Sequence, residues 1–144
     1  MRVKDVLATK GDAVATIDPE ATVGAAISAL TGHRVGALVV TTDGRSIDGI
    51  ISERDIVHGL DSVGVEILTV PVRTLMTAEV QTCSPTDEIR LLATTMTQGR
   101  FRHLPVVADG VLAGIVSIGD IVKIRVDELE TEQQQLMGYI SSAG

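Results

Sequence analysis

Gly49-Ile50-Ile51-Ser52-Glu53-Arg54-Asp55-Ile56-Val57 and Gly114-Ile115-Val116-Ser117-Ile118-Gly119-Asp120-Ile121-Val122 are two versions of one phrase, 65 positions apart. Each opens as an apolar run and passes through Ser-x-x-Asp into a second apolar pair, the pattern of a strand running straight into a helix. The duplication extends outward. Asp18-Pro19 corresponds to Ser84-Pro85 at a spacing of 66, and Val3-Lys4-Asp5-Val6-Leu7 resembles Val72-Arg73-Thr74-Leu75-Met76. Two copies of a unit of roughly 65 residues fill nearly the whole chain.

Within each copy the hydrophobic pattern predicts the same order of elements. Residues 14–17 and 80–83 read as short strands, each ended by a proline two residues later. Val23, Ala26, Ile27 and Leu30 then recur at helical spacing, as do Ile89, Leu92, Ala93 and Met96, so each set defines a helix with one buried face. The apolar runs 35–40 and 104–107 precede Asp43-Gly44 and Asp109-Gly110, dipeptides suited to a tight turn with positive φ. Returning strands over 47–51 and 112–116 lead to second helices that start at Ser52 and Ser117. The unit is strand, helix, strand, strand, helix. The fold class is therefore α+β, two β-α-β-β-α repeats packed sheet to sheet with pseudo-twofold symmetry and two equivalent clefts at the join. The division is 1–66 for the first repeat with its N-terminal segment, 67–126 for the second and 127–144 for a tail. That tail is rich in Glu and Gln and carries Leu129, Leu136, Met137 and Ile140. It reads as a solvated helix that closes the domain, or alternatively as a dimer contact.

Composition limits the function. The 144 residues include one Phe, one Tyr and no Trp, so aliphatic side chains must fill the core. A net charge of -7 opposes a nucleic-acid backbone, and the lack of aromatics leaves little to stack unpaired bases on. A small nucleotide needs only a few local cations and remains possible. Cys83 is the single cysteine, which removes any intramolecular disulfide or CxxC site and fits a reducing compartment. The N-terminus has no signal-peptide core and no apolar run reaches the length of a membrane span, so the expected location is cytoplasmic.

Few residues offer chemistry. Ser52 with Asp55, and Ser117 with Asp120, are spaced as capping boxes, which need no ligand. Their repetition at a shared join supports a second reading: a helix start offers free N–H groups to a phosphate, and the carboxylate can accept the hydroxyls of a ribose. Arg100-Phe101-Arg102-His103 is either a solvated loop before a core strand or a phosphate clamp. In the clamp, Arg102 gives bidentate contacts and His103 adds a pH-sensitive donor. Cys83 reads as core rather than nucleophile, and no HExxH, GxSxG, Walker or GxGxxG motif is present.

The doubled Gly-Ile-[Ile/Val]-Ser-x-x-Asp, the Asp-Gly turns and Arg102-His103-Leu104-Pro105-Val106 resemble tandem cystathionine β-synthase (CBS) domains from about Val3 to Val126. The resemblance implies a non-catalytic regulatory module that binds AMP, ADP, ATP or NAD(H). Such a module senses energy or redox status as a homodimer and signals to an unidentified partner protein, with no nucleic acid or membrane involved. It also implies crossed sites. One would join Ser52, Arg54 and Asp55 to Thr82, Cys83 and Pro85, with Arg102 and His103 on the phosphates. The other would join Ser117 and Asp120 to Thr16, Ile17, Val35, Gly36 and Ala37. Pairing Val35-Gly36-Ala37-Leu38-Val39 with Arg102-His103-Leu104-Pro105-Val106 leaves the second cleft without cations, so the Asp55 cleft is expected to take the more highly charged part of a nucleotide. The alternatives are a structural interaction module with empty clefts and, less supported by the residues, a nucleotide hydrolase.

Overall fold

The computed structural model describes residues 1–143. The first repeat runs β1 (Thr16–Ile17), α2 (Val23–His33), β2 (Ala37–Val40), β3 (Gly49–Ser52) and α3 (Glu53–Val63), preceded by α1 (Val3–Lys10). A short 3-10 turn (Val65–Thr69) and α4 (Val72–Leu75) lead to α5 (Ile89–Gly99), β4 (His103–Ala108), β5 (Val111–Ser117) and α6 (Ile118–Ala143). β1 is parallel to β2, and β2 is antiparallel to β3 with Leu38 opposite Ile51. β4 is antiparallel to β5 with Leu104 opposite Val116. The architecture is the expected α+β pair of repeats.

The strand expected over 80–83 does not form. Only Cys83 bridges to β4, donating to the Pro105 carbonyl at 3.0 Å and accepting from Val107 N at 2.8 Å. The second sheet therefore has two strands where the first has three. The Asp-Gly turns also differ. Asp109 and Gly110 both take positive φ (53° and 76°) in the two-residue turn between β4 and β5. In the first repeat only Gly44 does (76°), because β2 and β3 are joined by a longer loop. There Asp43 accepts from Arg45 N and Ser46 N, both at 2.8 Å, and these backbone donors hold its carboxyl down at about 2.

The buried side chains form two clusters. Val23, Ala26 and Leu30 of α2 pack with Leu38, Val40, Ile51, Ile56 and Val72. Ile89, Leu92 and Met96 of α5 pack with Cys83, Leu104, Val106, Val116, Ile121, Val3 and Val6. Each core thus contains the helix that precedes the other repeat: α4 closes the first and α1 closes the second. The backbone contacts repeat with the same symmetry. Val3 N and Lys4 N donate to Asp87 O and Pro85 O, as Val72 N and Arg73 N donate to Ala21 O and Pro19 O.

The tail does not close the domain. It continues α6 without a break, and every residue from Leu129 to Ser142 is exposed.

Candidate functional site

The Ser-x-x-Asp turns are capping boxes in both repeats. Ser52 N donates to Asp55 Oδ2 at 2.9 Å and Asp55 N to Ser52 Oγ at 3.4 Å. Ser117 N donates to Asp120 Oδ2 at 2.8 Å and Asp120 N to Ser117 Oγ at 3.2 Å. Each box leaves carboxylate lone pairs free for a second partner.

At Asp55 that second partner is Thr77, whose Oγ1 lies 3.4 Å from Asp55 Oδ1. Thr77 is placed by paired backbone bonds with Ile50, at 2.9 and 2.8 Å, just beyond α4. A cleft of about 360 Å³ opens here, lined by Ser52, Arg54 and Asp55 from one repeat and Arg100, Phe101, Arg102 and His103 from the other. That size lies within the range of about 300–1,000 Å³ usual for small-molecule pockets. Arg54 Nη1 donates to the Arg100 carbonyl at 3.2 Å, tying the helix start to the clamp segment.

The structure thus brings Ser52, Arg54, Asp55, Arg102 and His103 together and leaves Thr82, Cys83 and Pro85 outside. Cys83 is buried in the second core, where burial and then Asp87 push its thiol up to about 12. Pro85 faces α1 through its carbonyl, and Thr82 lines a separate small surface pocket with Arg45 and Leu112. Val80 and Gln81, two residues earlier than expected, line the cleft instead, with Thr77 and Glu79. Gly36, assigned from sequence to the other cleft, also lines this one. A Cβ on it would sit 3.3 Å from the His103 ring and 3.5 Å from Glu53 Oε1. No repeated motif marked Thr77 or Glu79, which follow the repeated linker pattern ending at Met76, and the sole phenylalanine was the signal for Phe101.

The two repeats superpose one residue away from the expected pairing. Ala37 lies opposite Ser52 and His103 opposite Ser117. Glu53 N donates to Gly36 O as Ile118 N donates to Arg102 O. Arg102 therefore corresponds to Gly36 and His103 to Ala37.

At Asp120 the second partner is Lys10, at the end of α1. Its Nζ lies 2.7 Å from Asp120 Oδ2 and 2.9 Å from the Ile115 carbonyl. The Asp120 turn therefore does have a cation beside it, contrary to expectation, and that cation is engaged with the carboxylate. Burial raises the Asp120 carboxyl, but the Lys10 and Ser117 hydrogen bonds together outweigh it and hold the group below its usual value. Of the residues assigned to this cleft, Ala37 is buried, Ile17 is half-buried beside Val40, and Thr16 is exposed. Val35 and Gly36 border a groove between α2 and α3.

His103 lies between the two carboxylate turns. Burial depresses its imidazolium below 6.5; Asp120 and Glu53 oppose this, and Lys10 and Arg102 reinforce it. Arg54, Arg100 and Arg102 face Glu53, Asp55 and Glu79 around the open cleft, so its formal charges balance.

A β-α-β-β-α repeat followed by an α-β-β-α repeat, with exchanged linker helices and a pair of related carboxylate turns, defines a tandem-repeat architecture. The CBS domain family model matches residues 3–62 and again 72–127, and the chain belongs to that family as a tandem pair. It is 36% identical over 148 residues to the mitochondrial CBS domain-containing protein CBSX3 of Arabidopsis thaliana, covering 96% of this chain and 71% of that one. Among solved structures, the CBS-domain protein ATU1752 of Agrobacterium tumefaciens is 42% identical with a TM-score of 0.85, covering 87% of this chain and 99% of that one. The CBS domain protein PAE2072 of Pyrobaculum aerophilum, solved in complex with AMP, is 26% identical with a TM-score of 0.72, covering 83% and 89% of the two chains. No helix among the described residues is long and apolar enough to cross a membrane.

Proposed function

We propose that this chain is a non-catalytic, homodimeric regulatory module that binds an adenine nucleotide in the Asp55 cleft and reports energy or redox status to a partner protein. The observation that carries this reading is the difference between the two carboxylate turns. Asp120 is held by Lys10 at 2.7 Å, whereas Asp55 meets only its own cap and a long contact to Thr77 at the rim of an open cleft. Asp55 is placed to take the ribose hydroxyls. Arg102 and Arg100 are placed for phosphate, and Ile50, Val80 and Phe101 supply apolar walls for the base. Balanced charge favours a ligand of low net charge, AMP or NAD(H), over ATP. The AMP complex of PAE2072 supports the ligand class.

A second reading is a structural interaction module, and the closed capping boxes favour it, since they satisfy Ser52 and Asp55 without any ligand. Thermal midpoints with AMP, ADP, ATP, NAD, NADH and S-adenosylmethionine separate the two. A ligand at about 100 times its dissociation constant adds about 2.7 kcal/mol, a shift of several degrees. The sensor reading expects such a shift with AMP or NAD(H), retained in Lys10→Met and lost in Arg102→Ala. No shift with any of the six would leave the interaction module.

A further inference from the structure

Because α6 is unbroken from Ile118 to Ala143, the outward residues of its first turns stay in phase with those of its tail. Positions 122, 126, 129, 133, 136 and 140 step by four, three, four, three and four. They carry Val122, Val126, Leu129, Gln133, Leu136 and Ile140, all exposed. This is one continuous heptad seam, with Val126, Gln133 and Ile140 at the a positions and Val122, Leu129 and Leu136 at the d positions.

We propose that this seam is the interface with a second copy of the same chain, joined as a parallel two-stranded coiled coil along α6. The proposal rests on the homodimeric part of the reading above and identifies the surface that carries it. All fourteen residues from Leu129 to Ser142 are exposed. A helix segment of that length is marginal in water unless its apolar face is covered.

The residue types specify both strand number and direction. β-branched residues at a with Leu at d favour two parallel strands, and a single polar a residue such as Gln133 fixes the register by meeting its own copy. Charge agrees. In a parallel pair each g residue faces the e residue five positions on in the other strand, so Arg125 meets the partner's Glu130, twice by symmetry. An antiparallel pair brings the acidic stretch Asp127 to Glu132 against itself. Arg125 Nη1 now bonds Glu128 Oε2 at 3.1 Å within its own exposed turn, and that weak pair yields readily.

The test is the mass of the full chain in solution by light scattering and sedimentation, for wild type, for Leu129→Glu/Leu136→Glu, and for single Val126→Cys and Ile140→Cys variants under mild oxidation. The expected results are twice the 15.1 kDa chain mass for wild type and at least a hundredfold weaker association for the double variant. The double variant should keep its midpoint at low concentration, because both sites are exposed. Both cysteine variants should cross-link to themselves, since parallel strands put 126 against 126 and 140 against 140; Cys83 is buried and contributes no background. A wild-type dimer that the double variant leaves intact overturns the coiled coil and keeps the homodimer. A monomeric wild type, a higher oligomer, or cross-linking at only one of the two sites overturns the proposal, and a monomer also overturns the homodimer.

Discussion

Gly49 and Gly114 begin the two repeated phrases, and the structure gives both a packing reason. A Cβ on Gly49 would meet Met76 Sδ and the Thr77 carbonyl, each at 2.7 Å; one on Gly114 would meet Leu7 Cδ2 at 2.8 Å. Gly49 lets the segment leaving α4 pass over β3, and Gly114 lets α1 itself pack against β5. At Gly49 one obstacle is backbone, so it cannot swing aside. Gly49→Ala should cost about 1–3 kcal/mol, read as a fall of several degrees in thermal midpoint. Gly114→Ala should cost less, because the Leu7 side chain can rotate. His103 makes a second residue-scale prediction. The unfolded chain takes up its proton near 6.5 and the folded chain only at lower pH, because burial disfavours the imidazolium. The stability gained by keeping His103 neutral is therefore complete above pH 6.5 and drains as pH falls toward the folded value. The midpoint should drop between pH 7.5 and 5.5, and His103→Gln should flatten that interval. Asp120 acts in a lower window: its depressed carboxyl stabilises the fold above about pH 4 and loses that contribution as pH falls through the folded value. A pH profile unchanged by His103→Gln between 7.5 and 5.5 would count against a buried neutral imidazole.

At the scale of elements, α1 delivers Lys10 to Asp120 in the position where the segment after α4 delivers Thr77 to Asp55. The surroundings of the two carboxylates therefore differ through the linkers more than through the Ser-x-x-Asp turns. Lys10→Met should free the Asp120 carboxylate and raise adenine-nucleotide stoichiometry by calorimetry from one to two per chain, with the first affinity unchanged. A stoichiometry that stays at one would mean that the second cleft is closed by something other than Lys10. The helices were legible from sequence because their periodicity is local: Val23, Ala26 and Leu30 all lie inside, as do Ile89, Leu92 and Met96. The capping boxes were legible for the same reason. The one-residue register between β2 and β4 was not, because an unbroken apolar run such as Ala37-Leu38-Val39-Val40 carries no internal mark of which residue faces its partner. The strand expected over 80–83 failed for a related cause. An apolar strand pattern needs a neighbour along its whole edge, and β4 meets it only at Cys83. The likeness of Val3-Lys4-Asp5-Val6-Leu7 to Val72-Arg73-Thr74-Leu75-Met76 revealed the duplication without saying which core each segment enters, since either core has room for an apolar helix face.

For the whole molecule, that exchange of helices makes the two halves unequal in how they are assembled. The first core and the partly buried residues around it come from one stretch of chain, Ala15 to Met76. The second is split between Val3 to Leu7 at the start and Cys83 to Ile124. The first can form from local sequence, whereas the second must bring its ends together across the whole of the first repeat, a closure that costs chain entropy. Removing residues 1–11 therefore acts at a distance in sequence. It strips Val3 and Val6 from the second core, uncovers Gly114, takes Lys10 from Asp120, and leaves every member of the first core in place. Losing two fully packed valines and their neighbours at several kcal/mol in sum is comparable with the stability of a small domain. Heat unfolding of the truncated chain should consequently split into two transitions. Hydrogen exchange should show β4 and β5 amides losing protection while those of β2 and β3 keep most of theirs. Equal loss across both sheets in one transition would mean that the second core supports the first as strongly as its own helices do, and that the molecule unfolds as a single cooperative unit.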